Sequence, residues 1–148
     1  MKPPVTIDIL MKEWSSDSII DATSMEKEVL KISHLHGKYL NVMSYHRHLL
    51  RKLDTEYKSM KGIREEYFSG HLTQEECDNY GWEYMQHVHS NPKIARLLET
   101  DPELTKILLK KIAHEEIVSY CESVLKSLHN RTWDLGNFVK YQQLTSGR

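Results

Sequence analysis

Nine histidines are the residues of this 148-residue sequence most suggestive of chemistry. A neutral imidazole ligates metals and takes up protons near neutral pH. Their spacing opposes both uses. His34/His36, His46/His48 and His87/His89 stand two apart, and such pairs point away from each other on a helix, where a chelate takes i, i+3 or i, i+4. No histidine has Glu three residues before it, the spacing of helical di-iron sites. There is no HExxH, no GxSxG and no GxxxxGK[ST] loop, so no zinc, nucleophile or phosphate-cradle signature is present. Glu75–Glu76 reads as a helix-capping pair, and Glu115–Glu116 as a solvated face. The histidines are expected to be structural or superficial. No catalytic residue, metal or cofactor is assigned, and an enzyme is not expected.

Cations are the other chemistry on offer. Arg47, Arg51 and Lys58 fall on one face of a helix, and Lys58, Lys61 and Arg64 step by three beside it, with Tyr57, Tyr67 and Phe68 interleaved. Cations along a rod neutralise successive phosphates, and aromatic rings stack on unpaired bases without reading sequence. Arg47, Arg51, Lys58, Lys61, Arg64, Tyr67 and Phe68 are therefore the candidate nucleic-acid contacts. The competing reading of the same residues is a solvated helix face with tyrosines along a packing seam. Net charge is only −1, but it is segregated. Residues 27–64 carry nine Lys or Arg against three acids, whereas residues 65–103 carry nine acids against two Lys or Arg.

These cations need a rod to hold them in line. Between Thr23 and Gly70 a seam runs Val29, Ile32, His36, Tyr39, Met43, His46, Leu50, Leu53, Tyr57, Met60, Arg64, Tyr67. Steps of three and four keep one side of a helix against a partner. The sequence predicts an all-α fold of elongated helices with coiled-coil-like packing, a long one near the start and a long one near the end. As one domain, residues 1–20 hold a short amphipathic helix (Ile7, Leu10, Met11, Trp14), mobile or docked. Residues 23–70 form the long helix, capped at Thr23 or Ser24 with Glu26 in a capping box, and ended by Ser69–Gly70. Residues 73–100 are acidic connecting helices, the first opened by Thr73-Gln-Glu-Glu76 and reaching about His89. Residues 102–144 form the C-terminal helix, started by Asp101–Pro102 and open to a kink near His129. Its apolar face, including Leu104, Leu108, Ile112, Val118 and Leu125, is broader than one partner helix needs, and is assigned to self-association. Cys77 and Cys121 make no CxxC and no disulfide framework, which fits a reduced compartment. No apolar run has a spanning length, and the first ten residues lack a signal-peptide layout; a cytoplasmic protein without membrane contact is expected.

Five stretches, in order, resemble the UvsY family of recombination mediators of large tailed phages. They are IIDAT (19–23), KYLN (38–41), IREEYFSG (63–70), LLETDPELTKI (97–107) and YCESVLKSLHNRTW (120–133). The resemblance covers most of the chain. It implies single-stranded DNA binding without enzyme activity, and a ring-like homo-oligomer of six or seven copies. It further implies contacts with a RecA-like phage recombinase and the phage single-strand-binding protein, inside the infected bacterial host. The role would be to load the recombinase onto DNA coated by the binding protein, in recombination, repair and recombination-dependent replication. The family's DNA-contact arginine matches Arg64. Its preceding lysine falls on Gly62, and Lys61, one residue away, is turned from that position by about 100°. The alternative is a structural coiled-coil adaptor that never meets DNA.

Overall fold

Long proline-free stretches and few glycines leave the backbone free to close helical hydrogen bonds over many turns. In the computed structural model, which describes residues 5–147, five helices result: α1 (Ile7–Asp17), α2 (Met25–Phe68), α3 (Gln74–Tyr80), α4 (Asn91–Glu99) and α5 (Pro102–Ser146). Among the described residues there is no strand, and no helix is long and apolar enough to cross a membrane. The packing divides into two compact units. One takes the described residues up to Leu49 and from Ala113 onward; the other is Leu50–Ile112.

The first unit holds α1, the start of α2 and most of α5. Its interior is built from Leu10, Leu35, Tyr39, Met43, Ile117, Val118, Cys121, Val124, Leu128 and Leu135. The short N-terminal helix is docked. Leu10 is fully buried, and the Trp14 ring meets Tyr39 edge-to-face at 5.4 Å. Asp17 accepts from Lys38 Nζ at 2.6 Å and from the Tyr39 hydroxyl at 2.9 Å. Arg131 lies 5.6 Å from the Trp14 ring and donates to the Ser18 carbonyl at 2.8 Å. Burial, followed by the bond to Asp17, raises the Tyr39 phenol above its ordinary value. Burial pushes the Cys121 thiol up to about 11, so this cysteine is an inert packing residue.

His46 and His114 form a pair inside this unit, their Nδ1 atoms 2.8 Å apart. One ring must donate and the other accept, so the bond as drawn needs a proton on only one of these two nitrogens. Burial, and then the neighbouring His114, hold the His46 imidazole below its ordinary value. His46 Nε2 is buried without a hydrogen-bond partner. An orphaned lone pair costs less than an orphaned N–H, which assigns Nδ1–H of His46 as the donor. The spacing of histidines along the chain did not announce this pair, but the place of His46 on the apolar seam did announce its burial.

In the second unit Tyr67, Phe68, Leu72, Cys77, Ile94, Leu98 and Leu104 form one apolar cluster, with Met60, Ile63, Trp82 and Met85 packed against it. Two glycines shape it. Gly70 (φ 75°) ends α2 and Gly81 (φ 74°) ends α3, each in a Schellman arrangement. His71 N–H reaches the Glu66 carbonyl at 3.0 Å, and Trp82 N–H reaches the Cys77 carbonyl at 2.9 Å. Only glycine takes this conformation without strain.

Several local expectations change. α3 stops at Tyr80 instead of running to about His89, because Gly81 is a terminator and not a tolerated interior glycine. Tyr84 and Val88 consequently lie outside any helix and exposed. Of the two cap candidates, Thr23 turns away, its amide and hydroxyl both donating to Asp21 Oδ1, and Ser24 stands directly before Met25, the first residue of α2, with its carbonyl accepting from Glu28 N–H at 3.1 Å. Thr73 does cap α3, accepting from Glu76 N–H at 3.2 Å. α5 continues through His129–Thr132 to Ser146 without a break. Of the residues assigned to self-association, Leu104 and Val118 are buried within their own units at 1% and 9% exposure. They cannot face a second copy, since the apolar face they belong to already has partners in the same chain. Leu125 is half-buried, whereas Leu108, Leu109 and Ile112 remain exposed.

Candidate nucleic-acid interface

The seven candidate contacts part company in the structure. Arg64 is 7% exposed, and Tyr67 and Phe68 are 8% exposed each. The Arg64 guanidinium forms a two-pronged ion pair with Asp101, Nε to Oδ2 at 2.9 Å and a terminal nitrogen to Oδ1 at 2.5 Å. It is boxed by rings, its central carbon 4.4 Å from the centroid of Trp82, 4.6 Å from Tyr67 and 4.8 Å from Phe68. Asp101 in turn caps α5, where it accepts from Leu104 N–H at 3.4 Å through Oδ2 and from Thr105 N–H at 2.9 Å through its carbonyl. The Tyr67 hydroxyl donates to the Glu83 carbonyl at 2.6 Å. These three residues thus tie α2, α5 and the α3–α4 connection together, and their faces are not offered to solvent. Arg64, Tyr67 and Phe68, expected among the nucleic-acid contacts, are instead interior residues of this unit. Both Arg64 and Tyr67 stand on the apolar seam, which is why they turn inward.

The remaining cations are outside. In the first unit, Arg47 is spent on Glu122, at 2.7 Å. In the second, Arg51, Lys52, Lys58 and Lys61 are exposed, and among the described residues no acid lies within ion-pairing distance of them. At about 100° per residue, Arg51 and Lys58 project within about 20° of each other, with Lys61 about 60° to one side. Gly62 projects within about 40° of Lys58, on the side away from Lys61, and a side chain there would meet open space.

Beside this strip lies an open cleft of about 470 Å³ between α2 and α4. Tyr57, Lys61 and Glu65, successive turns of α2, form one wall. Ile94, Ala95 and Leu98 of α4 form the floor, and Glu99 and Asn91 the far rim. The Tyr57 ring is half-buried, with Lys111 Nζ 5.8 Å from its centroid, and among the described residues its hydroxyl has no hydrogen-bond partner. Among the described residues no group of three or more His, Cys, Asp or Glu is placed to hold a metal ion.

The family described as "Recombination, repair and ssDNA binding protein UvsY" matches residues 13–148. The chain belongs to the UvsY family. No curated protein sequence matches it significantly. Among solved structures, the fold is similar to the bacteriophage T4 recombination mediator protein UvsY in two crystal lattices. In one the TM-score is 0.84 at 17% identity, over 97% of this chain and 99% of the other. In the second it is 0.83 at 17% identity, over 95% and 99%. At that identity the likeness speaks for the fold. UvsY family membership, from the sequence match over most of the chain, speaks for recombination, repair and single-stranded DNA binding as the general role.

Proposed function

We propose that this protein is a phage recombination mediator: it binds single-stranded DNA and loads a RecA-like recombinase onto strands coated by the single-strand-binding protein. It does so without chemistry of its own, in the cytoplasm of the infected bacterium. The observation that carries the DNA-binding part is the strip of cations Arg51, Lys58 and Lys61 along α2, exposed and, among the described residues, without an ion-pair partner; Lys52, equally exposed, projects about 100° around the helix from Arg51. Cations with no protein partner are available to release counterions from phosphates. Arg47 would join them only by leaving Glu122. One strip makes few phosphate contacts, so a single copy binds weakly. A closed ring of six or seven copies repeats the strip, and linked weak sites gain affinity without new contacts. The exposed Leu108, Leu109 and Ile112 of α5 are the residues proposed to bury themselves between copies.

The test is anisotropy of a labelled oligonucleotide across a salt series, followed by recombinase ATPase on strands pre-coated with the binding protein. Binding should fall steeply with salt, and the mediator should shorten the ATPase lag. A protein that binds no single strand at any salt is the coiled-coil adaptor instead.

A further inference from the structure

We infer that the α2–α4 cleft seats one unstacked base of the bound single strand, and that it favours a base carrying an exocyclic amine over thymine. This rests on the reading of the α2 strip as the path of the phosphates.

Three features of the cleft point that way. The first is position: Lys61 belongs both to the cationic strip and to the cleft wall, and Lys58 is adjacent in sequence to Tyr57. A strand whose phosphates follow Arg51, Lys58 and Lys61 passes the mouth of the cleft, and its bases must go somewhere. The second is the lining. Ile94 and Leu98 give a buried apolar floor, and Tyr57 a ring with an unused hydroxyl. An apolar base and an edge of hydrogen-bonding groups match a nucleobase, and the volume of about 470 Å³ lies within the roughly 300–1,000 Å³ usual for small-ligand clefts. The third is charge. Glu65 and Glu99 line this cleft beside a surface proposed to hold polyanion. Carboxylates repel phosphates, but they accept from the amine of cytosine or adenine, whereas the corresponding position of thymine is a carbonyl. Two acids at the mouth of a base-sized cleft therefore select for the amine. They also keep the phosphate itself out on the strip.

The experiment compares 12-nucleotide oligo-dC, oligo-dT and an abasic strand of equal length by anisotropy competition at fixed salt, using the full-length protein. The expected order is oligo-dC tightest, oligo-dT several-fold weaker, and the abasic strand weakest. In the double variant Glu65→Gln with Glu99→Gln, the preference for oligo-dC over oligo-dT should vanish while overall affinity holds or rises. Because Tyr57 also packs against the core, Ala95→Trp is the cleaner block. Ala95 is exposed, and an indole there occupies the cleft from its α4 side, clear of Arg51 and Lys58, which do not line it. That variant should bind all three strands at the level of the abasic one, with the wild-type salt dependence and melting temperature. Salt-dependent binding that is equal for all three strands overturns the base seat and leaves the strip standing. No binding to any strand overturns the DNA reading itself.

Discussion

Arg64 and Lys61 stand three residues apart on α2, yet they inhabit different media. Lys61 is exposed to water and, among the described residues, has no acid within ion-pairing distance, while Arg64 is 7% exposed, paired with Asp101 and enclosed by three rings. Arginine suits the interior place because its flat, weakly hydrated guanidinium meets a carboxylate through two parallel bonds and stacks on aromatic faces at once. Lysine suits the outer one, where a hydrated point charge can exchange water for phosphate. The contrast teaches that a cation in a sequence motif is not thereby a ligand contact. Its side of the helix decides, and in this chain the seam had already placed position 64 inside.

The sharpest way to break this comparison is Arg64→Ala. It would leave the Asp101 carboxylate buried and unpaired and remove the lid from the Tyr67–Phe68–Trp82 box. Losing one member of a buried pair costs about 3–5 kcal/mol, a large share of a domain's whole stability. Chemical denaturation should show that loss, and any weakening of DNA binding should track the unfolded fraction. Wild-type stability combined with lost DNA binding would make Arg64 a contact after all, reached through an opening of the box.

The complementary variant is Lys58→Ala with Lys61→Ala. Both side chains are exposed and, among the described residues, without an ion-pair partner, so stability should stay within about 0.5 kcal/mol. Affinity for a single strand should fall several-fold. The slope of log affinity against log salt should flatten by about 1.4, at roughly 0.7 per lost phosphate contact. An unchanged slope would remove these lysines from the strand's path, and with them the exposed half of the contrast.

Much of this was readable in the sequence, and the failures have physical causes. The seam from Tyr39 through Met43, His46 and Leu53 to Tyr67 is buried as its period requires. Its first part is not: Val29 is 53% exposed and His36 is exposed, while the preceding residues Glu28 and Leu35 are buried, Glu28 accepting from the Asp21 amide at 3.2 Å. A local turn outweighed the pattern there. The Arg64–Asp101 pair joins positions 37 apart, and nothing local records such a partner; Asp101 was legible only as a helix cap. The broad apolar face of α5 was legible as apolar. Whether it meets its own chain or a copy depends on three-dimensional packing, and so Leu104 and Val118 were misassigned while Leu108 and Ile112 stayed open. The α2–α4 cleft was invisible, because it is made by two helices' spacing rather than by either helix's composition.

A third buried polar group, His46, tests how far the inside of the molecule resists charge. Its imidazole is held below its ordinary value in the folded state. As pH falls, the unfolded chain therefore takes the proton first, near about 6.5, and stability present above that pH is lost between the unfolded and the folded values. The slope of that loss is bounded at about 1.4 kcal/mol per pH unit for one proton. Denaturation midpoints measured from pH 7.5 down to 5.5 should fall in the wild type and stay flatter in His46→Leu. Parallel curves would mean that the pair with His114 accommodates the added proton.

Gly62 offers the smallest expected change and the one that joins both sides of the contrast. It is helical, it lies on the outward side of α2, and a side chain there meets nothing within 4 Å. Resemblance to the UvsY family puts a lysine at this position. Gly62→Lys should stabilise the helix by about 0.5–1 kcal/mol, because glycine in an exposed helix interior is that much poorer than a straight-chain residue. The gain is independent of any ligand. The new ammonium would stand one turn beyond Lys58, so the salt slope for single-stranded DNA should steepen by about 0.7. The two readouts separate cleanly. A stability gain without a steeper slope would place the strand elsewhere than on this strip. If both gains appear, and the steeper slope persists when Lys61 is replaced by Ala, the phosphates run along Lys58 and position 62, and Lys61 is left to guard the cleft.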